Sequence, residues 1–126
     1  MKKEILFILL IFVPLLLSAQ TSSPMISFNT DTIDYGDITK GSNGVRTFTF
    51  ENTGDAPLEI QGVRSSCGCT IPKKPEAPIA PGEKGEITVS YDTNRVGVFR
   101  KTITVNTNVS SAAIIALKIK GNVLAN

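Results

Sequence analysis

Apolar and polar residues alternate along most of the chain beyond its first twenty residues. Ile87, Val89 and Tyr91 share one face of an extended segment, and polar residues occupy the other face. A period of two is the pattern of a strand with one buried face. We therefore expect Phe50, Ile87 and Ile103 to point into one common core. The apolar positions of the alternating runs are Ile26, Phe28, Ile33, Tyr35, Phe48, Phe50, Leu58, Ile60, Ile87, Val89, Tyr91, Phe99, Ile103, Val105, Ile115, Leu117, Ile119 and Val123.

Turn signals separate these runs. Residues 40–44, 52–55, 80–83 and 106–108 are rich in glycine, asparagine, proline and aspartate, which favour turns. After the first twenty residues, no segment shows helical periodicity over more than one turn. Short strands at this spacing predict an all-β fold, an immunoglobulin-like β-sandwich of about seven antiparallel strands.

One segment, residues 64–82, lacks the alternation. It contains both cysteines of the chain and four of its prolines, Pro72, Pro75, Pro78 and Pro81. Proline cannot donate to a sheet ladder and fixes its own backbone angle, so this segment is expected to be a stiff crossing between the sheets on the surface. Rigid exposed loops often bind ligands, although a simple connector has the same sequence features.

The N-terminus has the three parts of a secretory signal. Lys2 and Lys3 precede an apolar run over residues 5–17, and the small residue Ala19 ends the segment. An uncleaved membrane anchor is the alternative, but the run is short for a span. We expect the protein to be secreted across the inner membrane into the periplasm or the extracellular space, with no membrane span after cleavage. The expected organisation is a signal peptide over residues 1–19 and one sandwich domain over residues 20–126.

Composition narrows the function classes. The formal net charge is +2, with no histidine and no tryptophan. A nearly neutral domain gives no reason to expect a nucleic-acid partner. The absence of histidine excludes histidine general bases, histidine metal ligands and catalytic triads of the ordinary kind. We therefore expect that the protein has no enzyme activity and binds no cofactor. We expect its partner to be another protein of the cell envelope.

The run Ser66-Cys-Gly-Cys-Thr70 is the only segment with unusual chemistry. In extended chain Cys67 and Cys69 point to the same side with their Cα atoms about 6.5 Å apart. They could form a passive disulfide, pack as two small thiols, exchange disulfides, or bind a soft metal such as Cu(I). Zinc is disfavoured because no histidine or further cysteine is present to complete four ligands. We expect both cysteines to lie on the surface crossing and to be accessible to reagents.

Several segments together resemble the bacterial family called domain of unknown function 1573. They are residues 33–38, 50–60, 66–70, 78–85 and 101–105, of which the Cys-Gly-Cys-Thr run between the Asn-Thr-Gly-Asp and Ile-Ala-Pro-Gly turns is the most specific in combination. The resemblance implies an immunoglobulin-like fold of the pilus-chaperone and cilia-associated type and an exported location, and it directs attention to Cys67 and Cys69. It implies no activity.

Two function hypotheses follow. The first is an exported, non-enzymatic domain that serves as a protein-interaction or structural module of the cell envelope. The alternative is a thiol protein that binds a soft metal such as Cu(I), or exchanges disulfides, through Cys67 and Cys69.

Overall fold

Eight strands make up the regular structure of the described part of the chain. The computed structural model describes residues 22–125, so the expected signal peptide lies outside the described residues. All of the strands except β5 follow alternating or β-branched runs of the sequence. The strands are β1 (Ile26–Phe28), β2 (Thr32–Thr39), β3 (Val45–Asn52), β4 (Ile60–Ser65), β5 (Thr70–Lys73), β6 (Lys84–Tyr91), β7 (Gly97–Thr107) and β8 (Ile114–Leu124).

The strands form two four-stranded sheets that enclose one core. Sheet A has the order β1-β3-β6-β5, and sheet B has the order β2-β8-β7-β4. The expected β-sandwich is confirmed, but the strand count is eight rather than about seven, and β2 pairs with β8 in parallel. The chain leaves β2 for sheet A and returns beside it only with the last strand. No hairpin turn therefore forces an antiparallel pairing there.

Strand β5 lies within residues 64–82, which the sequence analysis expected to be a stiff crossing between the sheets. The segment does cross from sheet B to sheet A, but Thr70–Lys73 then pairs with β6 at the edge of sheet A. The carbonyl of Cys69 accepts a hydrogen bond from Asp92 N at 2.9 Å. Because bonding directions alternate along a strand, the nitrogen of Pro72 points away from β6, where no donor is needed.

The alternation correctly predicted the core. Phe50, Ile87 and Ile103 are each buried to within 1% of complete burial and belong to one cluster. Leu58 is equally buried although it lies outside the strands, since it forms a single antiparallel bridge with Ile79. The two inner faces of the sheets thus pack as the sequence pattern indicated.

A fully buried asparagine organises the turn after β3. Asn52 donates from Nδ2 to the carbonyls of Ala56 at 2.8 Å and Ile79 at 2.9 Å, and its Oδ1 accepts from Gly54 N at 2.9 Å. One side chain therefore ties the turn at residues 52–55 to the segment that leads into β6. Its burial is tolerated because both ends of the amide are hydrogen-bonded.

A small aromatic cluster closes one end of the core. The Tyr91 and Phe99 rings stack with centroids 3.8 Å apart, and the Tyr35 hydroxyl donates to the carbonyl of Gly44 at 2.8 Å. Burial raises the pKa of Tyr35 to about 12, although the Arg46 guanidinium, 4.2 Å from the ring centroid, opposes the shift. Tyr35 therefore remains a protonated donor at any physiological pH.

Candidate functional site

The two cysteines are joined in a disulfide where the chain passes from sheet B to sheet A. Their Cα atoms lie 5.2 Å apart, closer than the spacing expected of extended chain. The reason is a turn at Gly68, in which Thr70 N donates to the carbonyl of Cys67 at 3.2 Å. The tight turn brings both sulfurs within bonding distance without displacing either sheet.

Hydroxyl groups next to the disulfide attach it to sheet B. Ser65 Oγ accepts from Cys67 N at 3.2 Å, and Ser66 N donates to the carbonyl of Thr102 at 3.1 Å. Thr102 N in turn donates to Ser66 Oγ at 3.3 Å. The polar run therefore satisfies its own backbone groups and fixes the end of β4 against β7.

The prediction that both cysteines are accessible is wrong for Cys69. Cys69 is only 7% exposed and packs with the core, whereas Cys67 is partly exposed. The cause is the bond from Asp92 N, which aligns Cys69 with the start of β5 and turns its side chain inward. Asp92 lies far along the chain, so the local sequence gave no sign of this burial.

The disulfide limits the chemistry open to the two sulfurs. A disulfide offers no thiolate, so a soft metal could bind only after reduction. Within residues 22–125 no group of three or more histidine, cysteine, aspartate or glutamate side chains could hold a metal ion. The redox and metal roles of Cys67 and Cys69 stay predictions.

We expect thiol labelling of the folded protein to depend on reduction and to favour Cys67. No cysteine should react before a mild reductant is added, and afterwards Cys67 should react faster because Cys69 is buried. Reduction should lower the free energy of unfolding by no more than about 1.6 kcal/mol, since the closed loop is so short. Mass spectrometry of the labelled peptides and denaturant melts give both values. In denaturant the two rates should converge; equal rates in the folded protein would contradict the burial of Cys69.

A second feature of the site is the first half of β7, which has a neighbour on one side only. Strand β8 pairs with β7 from Gly97 to Asn106, whereas β4 pairs with it only from Ile103 onward. Just beyond the end of β4, Ser66 N donates to the Thr102 carbonyl, which is the last backbone bond between this segment and β7. Beside residues 97–101, the place in line with β4 is therefore empty of regular structure within the described chain.

The backbone of this half-strand points its polar groups into that empty place. Bonding directions alternate along a strand, and the Thr102 carbonyl faces β4. By the same alternation Val98 and Arg100 direct their N–H and C=O groups to the β4 side, whereas Phe99 bonds to β8. No backbone bond within residues 22–125 is seen from Val98 or Arg100 to another turn or loop.

Exposed apolar side chains surround this half-strand. Val98 is 82% exposed and Val96 is 53% exposed, and Leu124 at the end of β8 is 43% exposed. The register pairs Val98 with Asn122, so Leu124, two residues further along β8, lies on the same outer face of sheet B as Val98. The sequence analysis missed this patch, although valines on the polar side of the alternation were a signal that could have revealed it.

The family comparison identifies the chain. A model of the family described as protein of unknown function DUF1573 matches residues 26–123. The chain belongs to the DUF1573 family. No curated protein sequence matches this DUF1573 chain. Between residues 22 and 125 it has no helix of the length and apolarity needed to cross a bilayer.

Solved structures share the fold of this DUF1573 chain. A protein of unknown function from Porphyromonas gingivalis W83 aligns with a TM-score of 0.68 at 20% identity, covering 88% of this chain and 51% of that one. The present chain thus spans about half the length of that protein. A PapD-like domain of human CEP192 aligns with a TM-score of 0.67 at 8% identity, covering 82% and 88% of the two chains.

A further structural relative is found in a complex of chaperone–usher pili. A chain of the CsuC–CsuE chaperone–tip adhesion subunit pre-assembly complex from Acinetobacter baumannii aligns with a TM-score of 0.60 at 15% identity. The alignment covers 79% of this chain and 57% of that one. At such identities the likeness establishes the fold, an immunoglobulin-like β-sandwich, and no specific role.

Proposed function

We propose that this DUF1573 chain is an exported, non-enzymatic domain that binds another protein of the cell envelope. The observation that carries the proposal is the apolar patch formed by Val96, Val98 and Leu124 next to the half-paired strand β7. Other apolar side chains are exposed as well, among them Ile71 and Ile114, but those near the start of β7 lie together beside unused backbone groups. Grouped exposed apolar side chains are typical of protein-binding sites. A strand with unused backbone groups adds a second means of holding a partner.

Two further points support this proposal. The N-terminal residues have the layout of a secretory signal, which is the reason to place the protein outside the cytoplasm. The chaperone-like neighbours belong to a fold class that often serves as a binding scaffold. The rigid core leaves the surface as the place where specificity can reside.

We expect a lysine in place of Val98 to abolish capture of envelope proteins by the immobilised domain. The matched control is Val45→Lys, which introduces the same charge at a 44%-exposed valine on the outer face of sheet A. Quantitative mass spectrometry of the captured proteins should show a partner that the wild type and V45K retain and V98K loses. Denaturant melts should show that both variants are folded. Equal capture by the two variants would contradict the assignment of this patch.

A further inference from the structure

The free edges of the sandwich differ in how they are closed. Strand β1 contains only three residues, and β5 presents Pro72 on its outer side. At the start of the outer edge of β2, Thr30 Oγ1 accepts from Thr32 N at 3.2 Å and donates to the Thr32 carbonyl at 2.9 Å, so the beginning of this edge bonds to itself. Strand β4 lies against β5 at the crossing. These are the devices by which sheets block unwanted pairing.

The first half of β7 is not shortened, does not bond to itself and is not covered by another strand of the described chain, and the devices it carries are the charges of Arg100 and Lys101. It contains no proline, and Val98 and Arg100 direct their N–H and C=O groups away from β8 with no side chain of the described residues bonded to them. The spacing of these groups is that of a hydrogen-bonded ladder, which an extended backbone satisfies best. The empty place therefore fits a peptide strand better than it fits a loop or a helix.

The rows of side chains across sheet B indicate what that strand should carry. One row reads Asp34, Lys120 and Arg100 from β2 to β7, so that an acidic residue beside Arg100 would continue the pairing of opposite charges. The next row ends in Val98, beside which a β-branched apolar residue would pack. Among the described residues, the ion pair observed joins Lys74 and Glu76. The Arg100 guanidinium therefore forms no ion pair within this part of the chain and can pair with an acidic residue of a partner.

We propose that an extended segment of a partner protein adds to sheet B beside residues 97–101, antiparallel to β7 and in line with β4. Its acidic residue lies beside Arg100, and two positions later its β-branched residue lies beside Val98. The cations Arg95 and Arg100 favour an acidic partner and disfavour a second copy, which would bring the same charges to the edge. This inference rests on the proposed protein-binding function and names the chemistry of the partner.

The test uses the synthetic peptide acetyl-Ser-Thr-Glu-Thr-Val-Thr-Ser-amide and the purified protein. Aligned antiparallel, its glutamate stands opposite Arg100 and its valine opposite Val98. We expect binding to slow hydrogen exchange of the Val98 and Arg100 amides, measured by NMR. The Phe99 amide, already bonded to β8, serves as the internal control and should exchange slowly with or without the peptide.

Backbone methylation separates strand addition from side-chain binding. N-methyl groups on the glutamate and valine remove the two donors that face β7 and should weaken binding about tenfold or more. N-methyl groups on the two threonines that follow these residues point away from β7 and should change the affinity by less than about twofold. A lysine in place of the glutamate should also weaken binding, and Arg100→Glu should restore it.

Each outcome decides one of the two proposals. If V98K loses envelope capture but the peptide protects neither amide, protein binding stands and strand addition is overturned. If the wild type captures nothing but both amides become protected in the expected methylation pattern, the edge accepts a strand and the envelope partner is overturned. A dimer that disappears in V98K would assign the edge to a second copy and would overturn the inference.

Discussion

Replacing Asn52 by aspartate should lower the free energy of unfolding by about 4 kcal/mol or more at pH 7. The carboxylate would face the carbonyl oxygens of Ala56 and Ile79, which Asn52 Nδ2 now contacts at 2.8 and 2.9 Å. An acceptor would thus replace the donor of two hydrogen bonds in a site with no exposure to solvent. Denaturant melts of wild type and N52D measure the loss.

The loss in N52D should depend on pH in a direction that the structure fixes. Burial beside two carbonyls raises the pKa of the introduced carboxyl in the folded state above its value in the unfolded chain. A group with a raised folded pKa stabilises the fold below its unfolded pKa, and this contribution is lost as the pH rises through the folded value. N52D should therefore lie closer to wild type at pH 4 than at pH 7.

Asn43→Asp is the matched control for this pair of measurements. Asn43 is exposed, and its observed bond is the one that Oδ1 accepts from Val45 N at 3.0 Å, which a carboxylate oxygen also accepts. N43D should stay within about 0.5 kcal/mol of wild type. A loss in N43D as large as that in N52D would show that the buried amide has no special role.

Gly44→Ala is the second substitution with a large expected cost, about 3 kcal/mol. A Cβ at Gly44 would collide with the backbone carbonyl oxygen of Tyr91 and approach Thr93 Cγ2 to 2.9 Å. Strand β3 cannot move away freely, because the Gly44 carbonyl accepts bonds from Tyr91 N at 3.0 Å and the Tyr35 hydroxyl at 2.8 Å. Overpacking against backbone in a close-packed core is costly.

Gly62→Ala should behave differently and serves as the control for G44A. The nearest atom to a Cβ there is Asn106 Nδ2 at 3.7 Å, an ordinary contact. The substitution should change the free energy of unfolding by less than about 1 kcal/mol, with stabilisation possible through the unfolded chain. Thermal or denaturant melts of G44A and G62A measure the two costs. Equal unfolding midpoints of the two variants would contradict the close approach at Gly44.

The sequence predicted those parts of the fold that depend on local alternation. Phe50, Ile87 and Ile103 could be assigned to one core because the sequence of each strand by itself alternates between apolar and polar residues. The parallel pairing of β2 and β8 could not be predicted, because local alternation does not show which distant strand lies beside β2 or in which direction it runs. Strand β5 was missed because four residues that include Pro72 carry too little pattern.

The site was less predictable than the core because its geometry depends on contacts between residues that are far apart in the sequence. Cys69 is buried by a bond from Asp92, and Asn52 is held by Ile79, so both environments come from distant parts of the chain. The half-paired edge at Val98 depends on where β4 ends relative to β7. The local sign of the open half is Val98 on the polar side of the alternation, but such a valine does not by itself show where the neighbouring strand ends.

The closed edges of sheet A have a consequence for the behaviour of the protein at high concentration. Aggregation by edge-to-edge growth needs a long, flat edge with alternating donors and acceptors. Pro72 lacks a donor on one flank of sheet A, and β1 on the other flank is three residues long. Neither flank of sheet A offers a long ladder to a second molecule, so crowded conditions should not convert the folded protein into fibrils by this route.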